Sequence, residues 1–295
     1  MTWKRLGPLH WIDPETLERQ ALAAGSGLIA TERSLWVVAD DLHHLVRLGR
    51  QDQLLGKGFR ILSGELPKEL KARKRAKPAT ECLIQLSSHP ESLSMLAFPS
   101  GSKRYRFRAS EIRVDTADKF VGSREIDVSA LLGFLSEHIP DLNIEGGVIL
   151  GEKVLLFQRG NGKAGCNAVI DFGLDHLRAL LHGQFMRATF SPRIIEMQLP
   201  KIAGVSLTFT DACVYERQVY FSAAAERGSS TYDDGEIIAS AIGRIGPRPD
   251  LLTQIEAAKV EGLAVARSDE STTTFFAVTD ADDPLSPSQL MEVKV

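Results

Sequence analysis

Four acidic side chains occupy the same place in a repeating sequence pattern. Each stands at or just before the start of a short apolar run, and consecutive members lie 50 to 66 residues apart. They are Glu81, Glu145, Asp211 and Glu261, and Ser26 holds the matching place before the first run. Carboxylate oxygens are the ligands that a hard cation such as Ca²⁺ prefers. The set therefore predicts a metal site if the fold brings its members together.

We call these five residues openers, because each precedes the first apolar run of its unit. A second polar position follows each opener. A tight turn and a stronger apolar run come first, at residues 35–39, 93–98, 154–157, 219–221 and 275–278. The polar residues that end these runs are Asp40, Ser100 with Lys103 and Arg104, Arg159 with Asn161, Glu226, and Asp280. In an antiparallel pair, the start of one strand lies beside the end of the next. The openers and the polar residues that end the second runs are therefore expected at the same end of each sheet.

The pattern predicts an all-β fold, because the runs are too short for buried helices and are rich in Val, Leu and aromatic residues. Each unit of roughly 60 residues holds about four such runs, and five units fill residues 1–295. This favours a single-domain β-propeller with five blades of four antiparallel strands; six blades or a pair of β-sandwiches are the alternatives. Residues 3–9 are expected to close the ring as an outer strand. Helix candidates are residues 14–23, 129–138 and 175–181.

Four carboxylates around one channel mouth need compensation. Two unit charges about 4 Å apart repel by about 4 kcal/mol at an effective dielectric constant of about 20. A cation, a basic side chain, a bound proton or a cationic ligand would offset this repulsion. In a metal-assisted hydrolase the four openers would hold the cation, Arg159 would stabilise developing negative charge, and Asp40 or Glu226 would act as base. Alternatively, the acids form a structural ring that accepts backbone hydrogen bonds.

Basic residues near the same mouth predict an anionic small-molecule ligand. The segment 71–77 carries a run of Lys and Arg that leads towards Glu81. The further ligand-binding candidates are Lys103, Arg104, Asn161 and Asp280. Residues 160–165 match G-x-G-x-x-G, but a strand-like segment follows instead of a helix. No nucleotide or organic cofactor is therefore expected.

Composition limits the partners that the chain is expected to have. The 35 Lys+Arg and 38 Asp+Glu give a formal net charge of -3, whereas nucleic-acid binders present a basic face. Neither a bilayer-spanning apolar stretch nor a signal-type segment is evident, so we expect no membrane contact. The three cysteines, Cys82, Cys166 and Cys213, lack disulfide or metal-ligand spacing, which predicts a cytoplasmic location.

A series of segments also carries a resemblance to known proteins. They are KARKRAKPATECL (71–83), LNIEGGVI (142–149), LLFQRGN (155–161), NAVI (167–170), TDACV (210–214), AAE (224–226), DDGE (233–236), VEGLAV (260–265) and VTDADDP (278–284). Together they resemble an uncharacterised bacterial β-propeller family that is similar to phytase-like esterase propellers. More distantly, an acid followed by Gly at the head of an inner strand is similar to calcium-dependent lactonase and phosphotriesterase propellers. That resemblance implies Glu145 or Glu261 as a calcium ligand, with Asp211 as a further one.

Three functions are compatible with these patterns. The first is metal-assisted hydrolysis of phosphoesters or related esters, and the second is a non-catalytic propeller that binds a ligand or a protein. The third is a glycan-processing enzyme, which would need two carboxyl groups about 5 to 5.5 Å or about 6.5 to 9.5 Å apart.

Overall fold

The computed structural model describes residues 2–50, 53–89, 92–103, 106–227, 235–269, 271–281, 283 and 285–295. Within them the chain forms five sheets arranged radially around a central channel. The predicted five-bladed β-propeller is confirmed.

The amino-terminal segment and the first two blades contain the first eleven strands and two helices. The amino-terminal strands are β1 (Thr2–Pro8), β2 (His10–Ile12) and β3 (Arg19–Ala21). Blade 1 contains β4 (Gly25–Ala30), β5 (Ser34–Ala39), β6 (His44–Gly49) and β7 (Gln53–Arg60). Helix α1 (Leu70–Ala76) leads to blade 2, which contains β8 (Thr80–His89), β9 (Ser92–Pro99), β10 (Arg108–Asp115) and β11 (Phe120–Asp127). Helix α2 (Ser129–His138) follows.

The remaining three blades complete the ring. Blade 3 contains β12 (Ile144–Leu150), β13 (Lys153–Gln158), β14 (Ala168–Gly173), helix α3 (Leu174–Leu181), a 3-10 turn (Arg187–Thr189) and β15 (Arg193–Glu196). Blade 4 contains β16 (Lys201–Ile202), β17 (Val205–Tyr215), β18 (Gln218–Arg227), β19 (Glu236–Arg244) and β20 (Asp250–Glu256). Blade 5 contains β21 (Lys259–Ser268), β22 (Thr273–Asp280) and β23 (Gln289–Lys294).

The two ends of the chain close the ring as the sequence predicts. Strand β1 pairs antiparallel with β23, with Trp3 opposite Val293, and supplies the outer strand of blade 5. On the outer edge of blade 1, β2 pairs parallel with β7 and antiparallel with β3. Closure covers sheet edges that would otherwise be open to pairing with other chains.

Apolar side chains fill the space between neighbouring blades. Five clusters of buried residues occupy the five interfaces between blades around the ring. The cluster between blades 2 and 3 also receives Leu131, Leu132 and Leu135 of α2 and Leu177 of α3. Because each sheet is buried on both faces, the strands read as nearly continuous apolar runs in the sequence.

Two predictions of local structure differ from the fold. Residues 14–23, predicted as a helix, form a turn and strand β3; the Asp13 side chain accepts a hydrogen bond from the Glu15 backbone N–H, which starts the turn. Helix α1 was not predicted, and its amino terminus is capped by the Glu69 carboxylate, which accepts from the Lys71 and Ala72 N–H groups. Among the helices of the described residues, none has the length and apolar character needed to cross a membrane.

Candidate functional site

One β-bulge at the equivalent place in every inner strand positions the candidate site. The inner strands β4, β8, β12, β17 and β21 lie side by side around the channel, and the pairing of each with the next strand of its blade skips one residue. The skipped residues are Ser26, Glu81, Glu145, Thr210 and Glu261. A bulge re-aims the side chain of the extra residue. Equivalent bulges in five blades therefore gather remote residues at one end of the channel.

The glutamates of blades 2, 3 and 5 meet at this end. Glu81, Glu145 and Glu261 each offer a carboxylate oxygen, and these three oxygens lie within 4.8 Å of one another. The three residues are 8%, 4% and 4% exposed. Three of the four predicted metal-ligating acids are thus brought together.

Asp211, the fourth predicted ligand, occupies a different position. Thr210 is the bulged residue of blade 4, so the sequence alignment of Asp211 with the three glutamates was wrong by one residue. The Asp211 Oδ2 atom accepts a hydrogen bond of 2.8 Å from the Leu263 N–H on the next inner strand. Burial raises the pKa of Asp211 well above its ordinary value. Its carboxyl group therefore fastens blade 4 to blade 5.

Tight contact between inner strands explains this arrangement. The residue after the bulge is glycine in blades 1, 3 and 5. At Gly146 a Cβ atom would lie 2.8 Å from the Ala212 N atom, and at Gly27 it would lie 2.6 Å from the Leu83 N atom. This position thus faces the backbone of the neighbouring blade, where the Asp211 carboxyl group meets a peptide N–H.

Arg159 connects three carboxylates across the mouth. Its guanidinium lies 3.5 Å from Glu145 Oε1, 3.5 Å from Glu261 Oε1 and 2.7 Å from Glu226 Oε2. The Arg159 side chain is 5% exposed. The predicted proximity of Arg159 and Glu226 to the acidic openers is therefore present in the structure.

Two lysines also lie at the mouth: Lys77, which belongs to the predicted basic run, and Lys259, which the sequence analysis did not single out. The Lys259 Nζ atom is 3.1 Å from Glu261 Oε1 and 3.7 Å from Asp280 Oδ2. Lys77, directly after α1, forms an ion pair with Asp40. The position of Lys259 could have been predicted from the sequence. It lies two residues before Glu261 on the same strand, and side chains two residues apart on a strand lie on the same face.

Of the other predicted ligand-binding residues, Asn161 lies beside the glutamates and Lys103 does not. Asn161 Oδ1 lies 3.5 Å from Asn143 Nδ2, which donates a 2.6 Å hydrogen bond to Glu145 Oε1. Lys103 lines a separate cavity of about 300 Å³ together with Ser102 and Asp141. Arg104 lies outside the described residues.

Burial and mutual repulsion raise the pKa of two of the central glutamates. Burial raises the pKa of Glu145 to about 8; Arg159 opposes this shift and Glu261 adds to it. The pKa of Glu81 is raised well above its ordinary value by burial, with Glu145 and Asp40 adding to the shift. In water, both carboxyl groups would ionise below pH 5. In this buried site, the carboxyl groups of Glu81 and Glu145 bind a proton more tightly than they would in water.

Acidic and basic groups contact one another at the mouth. The acids are Asp40, Glu81, Glu145, Glu226, Glu261 and Asp280, and the bases that contact them include Lys77, Arg159 and Lys259. The raised pKa values of Glu81 and Glu145 favour a bound proton or a bound cation at these two carboxyl groups.

The geometry of the three glutamates fits a hard cation. Oxygen ligands bind Ca²⁺ at about 2.3 to 2.6 Å, so two ligands of one ion lie at most about 5 Å apart. The three glutamate oxygens satisfy this limit. A metal held there would supply Lewis-acid polarisation of a substrate oxygen.

Comparisons with solved structures find chains of low sequence identity. The chain is similar to a GH43 β-1,3-galactosidase, with a TM-score of 0.51 and 10% identity over 99% of this chain and 60% of that one. It is also similar to Myxococcus xanthus glutaminyl cyclase, with a TM-score of 0.45 and 12% identity over 97% of each chain. A streptogramin B lyase gives a TM-score of 0.39 and 11% identity over 100% of this chain and 88% of that one.

Comparisons with protein sequences identify a family. The search of curated proteins gives no match. Residues 21–295 match DUF6929, a family of unknown function, over all five blades. The chain therefore belongs to the DUF6929 family.

Proposed function

We propose that this protein is a cation-assisted hydrolase of phosphoesters or related esters, with its active centre at the acidic end of the channel. The observation that carries the proposal is the convergence of Glu81, Glu145 and Glu261, each from a different blade, on one small volume. Phosphoester hydrolysis commonly uses a metal ion that polarises the phosphoryl group and activates water. The resemblance to phytase-like esterase propellers supports the same class of reaction.

The proposed cation ligands are the three bulged glutamates, and Ca²⁺ is the proposed ion because all three donors are carboxylates. Asp211 is left out of this set because its Oδ2 atom accepts from the Leu263 N–H. Arg159 lies within 3.5 Å of two of the ligands. It would orient them and would place positive charge beside the oxyanion of the substrate.

Asp40 is a better general base than Glu226. Both Glu226 oxygens accept hydrogen bonds, one from Arg159 and one from the Gly235 N–H. By contrast, Asp40 Oδ1 is buried with no hydrogen-bond partner among the described residues, while Oδ2 binds Lys77. A base needs an oxygen that can accept a proton from an attacking water, and Asp40 offers one.

The test is hydrolysis of p-nitrophenyl phosphate, bis-p-nitrophenyl phosphate, p-nitrophenyl acetate and a γ-lactone, after EDTA treatment and with Ca²⁺ restored. We expect turnover of at least one substrate only with the cation, and a loss of about 100-fold or more in Glu145→Gln, because the loss of a mere outer-shell partner of a metal already costs about 10- to 100-fold. Glu152→Gln is the matched control, because the Glu152 side chain is 80% exposed. Equal turnover with and without cation, or in both variants, would refute the proposal.

A non-catalytic binding role is the second candidate. It is favoured by Lys259 and Arg159, which already place positive charge beside Glu261. Under this alternative Ca²⁺ raises the melting temperature of the wild type but not of Glu145→Gln, and none of the four esters is turned over. Turnover that depends on Glu145 would exclude it.

A further inference from the structure

The channel has a second cavity at the end opposite the glutamates. Its volume is about 480 Å³, and all five inner strands contribute to its wall. We call it the distal vestibule, and its apolar wall is formed by Leu28, Leu83, Val148, Ala212, Val214 and Ala264. These residues come two to four positions after the bulged residue of their strand. Because the inner strands run in the same direction, the vestibule lies away from the acidic mouth.

The vestibule begins beyond the glutamates along the inner strands. Leu28, Leu83 and Ala212 follow the bulged positions by two residues and are only 3%, 4% and 4% exposed. The vestibule is thus lined by different residues from the three glutamates.

The rim of the vestibule carries an excess of acidic groups. Glu32, Asp115 and Asp118 line it, and Arg50 is its only basic lining residue among the described part of the chain. Asp115 Oδ1 accepts from the Ala117 and Lys119 N–H groups, and Asp118 Oδ2 accepts from the Thr31 hydroxyl. The Arg50 guanidinium donates to the Thr31 carbonyl at 2.7 Å and to the Ala266 carbonyl. It also lies over the Phe276 ring, 5.6 Å from the centroid. Arg50 is thus held against the protein, and the rim favours positive ligands.

We propose that the distal vestibule binds a small organic cation with an apolar body. Pockets of about 300 to 1,000 Å³ with apolar walls and a few polar groups are typical of small-molecule sites. The wall would cover the apolar body, and the rim carboxylates would contact the ammonium group. Tyr215 also lines the cavity and offers an aromatic ring, which attracts cations at its face.

The test compares three probes that share one apolar body and differ in charge. They are 2-phenylethylammonium, 2-phenylethanol and 3-phenylpropionate, titrated into the whole protein by calorimetry at low ionic strength. The ammonium is expected to bind at least tenfold more tightly than the carboxylate, with the neutral alcohol between them. Equal or tighter binding of the carboxylate, or no binding of the ammonium at millimolar concentration, would overturn the proposal.

Two variants locate the bound probe. Val214 lines the vestibule and is 37% exposed, so Val214→Arg introduces a positive charge without opening the core and should weaken ammonium binding at least tenfold. Val121→Arg, at a residue that is 58% exposed and does not line the vestibule, is the matched control and should bind normally. Glu32→Gln should weaken binding of the ammonium two- to fivefold and leave binding of the alcohol unchanged. If Glu145→Gln weakens binding of the ammonium while Val214→Arg does not, the probe lies at the glutamates and the vestibule proposal fails.

Discussion

Replacing Arg159 with Gln is expected to destabilise the metal-free protein strongly. The guanidinium contacts Glu226 at 2.7 Å and Glu145 and Glu261 at 3.5 Å each. Its side chain is 5% exposed, and those of the three acids are 5% to 11% exposed. Removing one member of a buried ion pair costs about 3 to 5 kcal/mol, because a desolvated charge is left behind.

The size of this loss should depend on pH. Glu145 has a pKa of about 8, so near neutral pH it can hold a proton and reduce the repulsion that Arg159 would otherwise offset. We expect a loss in unfolding free energy of about 3 kcal/mol at pH 6 and of about 5 kcal/mol above pH 8. Added Ca²⁺ should recover part of it, because the ion would replace the missing positive charge.

Urea unfolding with EDTA present measures the loss. Arg178→Gln is the control: Arg178 pairs with Glu152 and Asp175, and its side chain is 54% exposed. An exposed pair contributes at most about 1 kcal/mol. A loss in Arg159→Gln no larger than that in Arg178→Gln would refute the electrostatic reasoning.

Two further predictions concern single acids. Because the folded pKa of Glu145 is raised to about 8 from an ordinary 4.5, the folded state binds the extra proton; the metal-free protein should lose up to about 1.4 kcal/mol per pH unit as pH rises from about 4.5 to about 8. Urea titrations from about pH 7 upward should show a shallower fall in Glu145→Gln, and equal slopes would contradict the assignment. Asp211→Ala should cost about 1 to 3 kcal/mol through the lost bond to Leu263 yet keep the Ca²⁺-induced rise in melting temperature; loss of that rise would make Asp211 a cation ligand.

Much of the fold was predictable because short apolar runs recur along the sequence. The unit recurs five times, and four of the five opening residues named from the sequence lie at a bulge in the structure. Ring closure was also predictable, because the last unit lacks an outer strand and the residues before the first unit can supply one. Helix α1 was missed because Leu70–Ala76 is basic and carries no apolar stripe.

The convergence of Glu81, Glu145 and Glu261 was predictable from the repeat. The placement of Asp211 was not, because it depends on where a bulge lies to within one residue. Thr210 and Asp211 are adjacent and polar, and only the strand register shows which one is bulged. A shift of one residue turns a side chain to the opposite face of a strand, so Asp211 faces blade 5 instead of the three glutamates. The sequence predicted Lys77 near the mouth as part of the basic run 71–77, but not its contact with Asp40, because that contact depends on the path of α1 in three dimensions.

The central claim is that Glu81, Glu145 and Glu261 together hold one hard cation. Crystals grown with Ca²⁺ and measured for anomalous scattering test it most directly. The account predicts one spherical peak bonded to an oxygen of each glutamate at about 2.3 to 2.6 Å, and loss of that peak in Glu145→Gln crystals. Ca²⁺ bound elsewhere, while the three glutamates contact only Arg159, Lys259, Asn143 and water, would contradict it.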